Sequence, residues 1–486
     1  MSRILVAGVG PIPAEAPGRL YAPGLRAWIF AETLARASHN VELATLQFGP
    51  QATDSVAHFR LEPGADGAFQ ILRQPQINGA KPEEALARIA SSFSPQAVVA
   101  LTDVMGQAVA RARIGAPVWF DFLGAPMAER QQQAAVAGHD GGLAAAWRTI
   151  LPCLLSGDRF SACSQAQRLA LIGELGACGR LNRRTAGTDL AHVIPMGTAF
   201  HEFRKTKTAI RGPVAPANSI ILLWAGGFNT WTDVQTLHAG IVEAIRRRSD
   251  LRFVSFGGAI PGHCETVYPH FERLVAEGPF PDHFHLMGWA DPETVQNAYL
   301  EADMAINIDC FSYEGLLGTR SRLLEWMRAG LPIVTTELCE LSRILARREM
   351  AYSFPMGDAQ ALGAVVAGAA ADPQGRRERA RRAAAFLDAE YANERLLAPL
   401  LAWAANPQRA PDIDPAAPHC RTAPFPRPDN SLAAAQMDLL QSTSAIEELE
   451  ALRAADGQRR AALARLQGSR LVRLFARWKG YPLEDA

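Results

Sequence analysis

The sequence predicts an α/β protein made of two successive doubly wound parallel-sheet halves, followed by a helical tail. Three observations carry that expectation. Short apolar runs recur along the chain and alternate with stretches of helical apolar spacing. The alternation breaks at a polar stretch near position 210 and then restarts. Each half opens with a strand that runs into glycines, at "RILVAGVG" and at "SIILLWAGG". Strands that are apolar throughout and separated by helices belong to a parallel sheet covered on both faces.

Taken in order, residues 3–10 read as a buried strand and 24–38 as a helix. Strands follow at 41–48, 97–104, 117–124, 159–164 and 192–197, with a helix at 82–93. The polar, proline-containing stretch 201–218 reads as an interdomain linker. The second half gives strands at 219–227, 251–258, 284–289, 304–309 and 332–336, and helices at 233–248, 291–302 and 320–329. The expected domains are therefore 1–200 and 219–385. A helix at 386–404 returns toward the first domain. A proline-rich linker at 405–430, unable to form a core, leads to a basic helical tail at 431–486.

A chain of 486 residues exceeds what one core accommodates. Its 49 basic and 49 acidic residues cancel, so nothing global points to nucleic acid. Seven cysteines without CxxC spacing suggest a reducing compartment, and neither a disulfide frame nor a zinc site. The first residues do not have the form of a signal peptide, and no stretch is as long and apolar as a membrane span, so a cytoplasmic location is expected. In the tail, Arg459, Arg460, Arg465, Arg470, Arg473, Arg477 and Lys479 accompany Leu466, Leu471, Leu474, Phe475 and Trp478. Such a segment, 431–479, suits peripheral contact with an anionic membrane or packing on a partner subunit or on the protein itself.

The turn "GVGPIP" follows the first strand where a dinucleotide fold carries GxGxxG. Gly8 and Gly10 fit, but Pro13 stands in the third glycine's place, and no acidic residue ends the second strand. This argues against a nicotinamide or flavin. The glycines either let the chain turn or leave bare backbone beside a substrate. In the second half, Gly226 and Gly227 bring backbone close to whatever lies at the strand ends. Asp233 is placed to cap the next helix, and Trp231 reads as lid or core.

The densest chemistry lies in "EGLLGTRSRLLEWMRAGLP", residues 314–332. Its helix begins beyond the carboxyl end of the 304–309 strand, where ligands of open α/β sheets bind. A helix start offers unpaired amides and a positive dipole end, which attract phosphate. After Gly318, Thr319 and Ser321 add hydroxyls. Arg320 and Arg322 add guanidinium forks that match phosphate oxygens. Together they predict a diphosphate site without a metal. Glu325, one turn further, suits the two hydroxyls of a ribose, and Glu314, on the loop before, can reach a sugar. A competing reading makes Glu314 and Glu325 salt-bridge partners of the arginines.

These residues resemble the nucleotide-sugar site of retaining GT-B glycosyltransferases, in the large family called group 1 or family 4. Glu325 with "RAGLPIVTT" resembles the family's second glutamate and its small-residue-Gly-x-Pro ending. The stretches at 157–182, 192–197, 222–233 and 320–334 resemble one bacterial branch and occur in the family's order over about residues 1–400. The usual family spacing would put the first glutamate at position 317, which is Leu317; Glu314 is the available counterpart. The arginine and lysine that most members carry after the first strand of the second domain are absent from "GGFNTWTD".

The resemblance implies a GT-B fold, two Rossmann-like domains facing a cleft. It also implies metal-independent transfer of a sugar, with retention, from a UDP, GDP or dTDP sugar to a carbohydrate or lipid-linked acceptor. No separate cofactor is implied. On that reading Glu314, Asp121 and Arg320 are catalytic. Gly226, Gly227, Trp231, Gly318, Thr319, Arg320, Ser321, Arg322 and Glu325 hold the donor. Gly10, Gly24, Arg26 and Asp103 line the acceptor side. Asp121 resembles an acidic position of the branch where many members carry a histidine. The alternative is a catalytically inactive GT-B-like binding or assembly protein.

Overall fold

The computed structural model describes residues 1–15, 20–47, 55–198, 202–414, 417–421, 456–457 and 459–461. The first domain is built on an eight-stranded sheet. Its strands are β1 (Arg3–Val9), β2 (Asn40–Leu46), β3 (Ser55–Pro63), β4 (Phe69–Asn78), β5 (Ala97–Leu101), β6 (Val118–Phe122), β7 (Arg159–Ala162) and β8 (Ala191–Val193), in the order β4-β3-β2-β1-β5-β6-β7-β8. From β2 through β8 the pairing is parallel. The central strands β1, β5 and β6 are almost entirely buried, which matches their unbroken apolar runs.

The sheet is mixed rather than wholly parallel, because β3 and β4 form an antiparallel hairpin on β2. An unbroken-apolar criterion passes over that hairpin. Most of β4 is exposed, and β3 alternates charged and apolar residues as a one-sided strand does. Buried Glu42 on β2 pins the hairpin, meeting His58 at 2.7 Å and accepting from Arg60 at 2.6 Å.

The second domain is a six-stranded, fully parallel sheet of β9 (Ile220–Ala225), β10 (Leu251–Phe256), β11 (Phe284–Leu286), β12 (Met304–Asn307), β13 (Ile333–Thr336) and β14 (Tyr352–Phe354), in the order β11-β10-β9-β12-β13-β14. In each sheet chain order reverses beside the opening strand, between β1 and β5 and between β9 and β12. The carboxyl ends of those strands are the places where such folds bind ligands.

The chain crosses between domains twice. The first crossing, the 202–218 stretch, is fastened to the second domain. Glu301 accepts the amides of Ile210 and Arg211 at 2.8 and 3.0 Å, and Arg211 pairs with Asp303 at 2.7 Å. After the helix Pro373–Glu390 the chain returns, and Ala398–Ala405 packs on the first domain. There Trp403 lies 5.6 Å from Trp119, and Ser2 Oγ donates to the Ala404 carbonyl.

The proline-rich segment expected to be a coreless linker begins as a structural strap. Ala410, Asp412 and Ile413 are buried on the first domain. Arg180 donates two hydrogen bonds to Asp412, at 2.7 and 2.9 Å, and both side chains are inaccessible. This buried ion pair, with the Ala410 amide donating to Asp158 at 2.7 Å, holds the strap, and composition does not show it. Apart from 456–457 and 459–461, the expected tail at 431–486 lies outside the described residues. Among the described residues no helix is long and apolar enough to cross a membrane.

Candidate active site

A cavity of about 400 Å³ lies between the two sheets. Its first-domain wall comes from the ends of β1, β5 and β6 and the segments that follow them: Val9, Tyr21, Thr102, Asp103, Glu129 and Arg130 among them. Its second-domain wall comes from the loop after β9 and the start of the helix Ser321–Arg328: Asn229, Trp231, Thr319, Arg320, Ser321 and Arg322.

The two arginines of the 320s have different fates. Arg320 is buried and saturated. Its Nε donates to Asp309 at 2.8 Å, and its two terminal nitrogens donate to the two oxygens of Glu314 at 3.1 and 2.8 Å. The Trp231 ring covers the guanidinium at 5.0 Å. Arg320 is therefore not the phosphate ligand expected. Its charge is already spent on two buried carboxylates, and Glu314 is in part the salt-bridge partner of the competing reading. Glu314 still lines the cavity. Burial pushes its carboxyl up, while Arg320 draws it down.

Arg322 is the reverse case. It stacks 4.2 Å over Trp224 and donates through Nη2 to the Gly227 carbonyl at 3.1 Å. Its Nη1 is buried with no hydrogen-bond partner. Burial pushes its pKa down to about 10, with Asp309 the largest opposing influence. A desolvated guanidinium with a buried, unpartnered N–H, at the mouth of a helix, has the chemistry that suits an anion.

Gly226 makes this geometry possible. Its φ is +117°, and a Cβ there would stand 3.3 Å from Arg322 Nη2. Asn229 Oδ1, on the same loop, is also buried without a partner. Asp233 caps its helix, accepting from the Thr236 amide at 2.9 Å. Gly318 is required because a Cβ would press on the Glu314 backbone and carboxylate. Glu325 stands one turn along the same helix but does not line the cavity; its charge acts on the buried Tyr299 hydroxyl.

On the first-domain side four expected site residues need correction. Asp121 is fully buried and takes two hydrogen bonds from Arg26, at 2.6 and 2.7 Å, and another from Ser161. Arg26 also donates to the carbonyls of Ile194 and Pro195. Asp121 and Arg26 are thus a buried strut between β6 and the first helix, away from the cavity. Gly24 is a packing residue: a Cβ would strike the Pro11 carbonyl. Gly10 sits above the end of β2, where a Cβ would meet Gln47, and does not line the cavity.

Asp103 does line it. It follows Thr102, whose φ of +70° is unusual for a β-branched residue and is the kind of strain that costs about 1–3 kcal/mol. Burial pushes the Asp103 carboxyl up.

The sequence reading missed Glu129 and His263. Glu129 lies on the helix Pro126–Ala137, and His263 reaches it across the cleft at 3.5 Å. Burial, and then the charge of Glu314, push Glu129 up to about 7. His263 is pushed down by burial and by Arg130. No local motif marks either residue; only the meeting of two distant helices and a loop does so. Among the described residues no group of three or more His, Cys, Asp or Glu could hold a metal ion.

Residues 219–372 match the family model of group 1 glycosyl transferases. Sucrose-phosphate synthase from Thermosynechococcus elongatus is similar in structure, with a TM-score of 0.59 at 17% identity, over 82% of this chain and 97% of that one. The trehalose-6-phosphate protein from E. coli bound with UDP-2-fluoro glucose gives a TM-score of 0.57 at 10% identity, over 84% and 100%. Anabaena HepE in complex with UDP-glucose gives 0.55 at 14%, over 83% and 100%. No curated protein sequence matches the chain. Residues 219–372 are thus similar to a group 1 glycosyl transferase domain, and the chain as a whole has the two-domain GT-B fold.

Proposed function

We propose that the protein transfers a sugar, with retention of configuration, from a nucleoside-diphosphate sugar to a hydroxyl-bearing acceptor. The observation that carries this reading is the buried, unpartnered Nη1 of Arg322 beside the first turn of Ser321–Arg328. As the bond from the sugar to the phosphate breaks, charge builds on the leaving oxygen. Arg322 and the first-turn amides stabilise it in place, without reorganisation. Thr319 and Ser321 supply hydroxyl donors. Glu325, which stands outside the cavity's lining, accepts the ribose hydroxyls where the nucleotide extends beyond it. Arg320 positions Glu314, whose remaining lone pairs accept a sugar hydroxyl. The complexes of similar structures with UDP-glucose and UDP-2-fluoro glucose favour a uridine donor.

The competing reading, a binding protein without turnover, draws on one observation: Arg320 is neutralised, so on the second-domain wall Arg322 is, among the described residues, the one arginine without an ion-pair partner. Thermal-shift titration with UDP, GDP, dTDP and ADP, followed by assay of the matching nucleotide sugars, tests both. At a hundredfold excess over Kd a ligand stabilises by about 2.7 kcal/mol. No shift with any nucleotide overturns the donor site. A shift with no turnover on any sugar or acceptor favours the binding protein.

A further inference from the structure

Among the described residues three side chains that line the cavity hold a buried polar atom without a hydrogen-bond partner: Thr102 Oγ1, Asn229 Oδ1 and Arg322 Nη1. They call for different partners. The guanidinium nitrogen only donates and suits an anion, whereas the Thr102 hydroxyl both donates and accepts. The carboxamide oxygen of Asn229 only accepts, so it needs a hydrogen, and an ionised diphosphate has none to give. A buried acceptor left unpaired is costly, so Asn229 points to a ligand that carries hydroxyls as well as phosphate. The loop that bears it is fixed on both sides. The Asn229 backbone amide donates to Thr232 Oγ1 at 3.2 Å, and the Asn229 carbonyl accepts the Thr232 amide at 2.9 Å. Ahead of it the Phe228 amide donates to the Gly258 carbonyl at 3.1 Å, and the Phe228 ring stacks 4.7 Å from Trp224. Beyond it the Trp231 carbonyl accepts the Cys310 amide at 2.8 Å, and Trp231 lines the same cavity. A fixed carboxamide near an aromatic side chain suits a pyranose, which has both hydroxyl edges and apolar C–H faces.

We propose that Asn229 sets donor specificity: it reads a hydroxyl of the transferred sugar, so the protein takes a nucleotide sugar hydroxylated at that position and discriminates against the deoxy counterpart. The inference rests on the sugar-transfer reading. Oδ1 accepts the sugar O–H, and the amide nitrogen has hydrogens to give to a neighbouring hydroxyl. The diphosphate is left to Arg322. Asn229 breaks no bond; it selects what is bound. A sugar lacking the hydroxyl leaves Oδ1 dry, and a site built to hydrogen-bond a hydroxyl rejects such an analogue more strongly than an apolar pocket rejects a missing methylene. Thr102, on the facing wall, satisfies itself with a donor or an acceptor and so discriminates less.

The test is calorimetry on the full chain without acceptor. It takes the nucleoside diphosphate with the largest thermal shift, bare and as its glucose, galactose and mannose conjugates. Asn229→Ala is expected to weaken the tightest conjugate roughly tenfold, a lost hydrogen bond, and to leave the bare nucleotide Kd unchanged. Arg322→Ala weakens both. The 2-, 3-, 4- and 6-deoxy forms of that conjugate then locate the contact. One of them binds the wild type roughly tenfold more weakly than the parent, and Asn229→Ala no longer tells the two apart. This second comparison needs no assumption about how the variant folds, because the wild type alone must show the loss. Equal weakening of bare nucleotide and conjugate in Asn229→Ala would assign the residue to the phosphates and overturn the proposal. So would a wild type indifferent to all four deoxy forms, or a loss that persists undiminished in Asn229→Ala. If no bare nucleotide binds the wild type, the sugar-transfer reading itself falls, and the specificity claim with it.

Discussion

Replacing each arginine of the 320s with alanine separates a ligand contact from a structural strut. Arg322 lines the cavity and carries a buried N–H without a hydrogen-bond partner, and among the described residues it forms no ion pair. A charge-assisted hydrogen bond to phosphate contributes about 1.5–3 kcal/mol, so Arg322→Ala should weaken nucleotide binding roughly 10- to 150-fold. Its effect on stability should be small, because removing a desolvated cation also removes the penalty that lowers its pKa. Arg320→Ala strands Asp309 and Glu314 as buried, uncompensated carboxylates. Breaking one side of a buried pair costs about 3–5 kcal/mol. At roughly 2–4 °C per kcal/mol in a large domain, Tm should fall by about 6–20 °C. Calorimetry with the best nucleotide and thermal melts of the same preparations read both quantities. The reasoning is refuted if Arg322→Ala binds nucleotide normally, or if Arg320→Ala loses affinity while its Tm stays at the wild-type value.

Three further outcomes are expected. Gly226→Ala should reduce nucleotide affinity, because a side chain at φ +117° is strained and its Cβ crowds Arg322 Nη2; calorimetry reads the change. Asp412→Ala should destabilise the chain by about 3–5 kcal/mol in urea unfolding, since it leaves Arg180 buried and unpaired; an unchanged midpoint would mean the strap contributes nothing. Glu129 has a folded pKa raised from 4.5 to about 7, so the folded state binds the proton more tightly than the unfolded state. Its contribution to stability is greatest below pH 4.5, is lost as pH rises from there to 7, and stays lost above. Glu129→Gln should therefore raise Tm at pH 8 and leave it unchanged near pH 4.5; an equal change at both pH values would contradict the assignment.

The buried parallel strands were legible because burial on both faces leaves an unbroken apolar run, as in β5 and β9. The hairpin of β3 and β4 was not, since one solvated face dilutes the pattern. The helix start at 320 and the glycine loop at 226 were likewise readable from local chemistry. Which arginine would be free was not. That depends on Asp309, whose side chain reaches Arg320 only once β12 and the 320s helix have packed. The same holds on the acceptor side. Asp121 and Arg26 are 95 residues apart, and their buried pairing belongs to tertiary structure alone. Glu129 and His263 come from different domains and carry no signature in either neighbourhood.

The two chain crossings lie side by side. Gly197, just before the first, has no room for a Cβ because the buried Asn393, just after the second, occupies that space. Two strands running together through one narrow place act as the spine of a book. Both residues belong to the first domain, so their close fit sets the place where the chain leaves it and rejoins it. Any larger residue at position 197 would force the two crossings apart. The relation of one lobe to the other then rests in part on a contact that lines no part of the cleft.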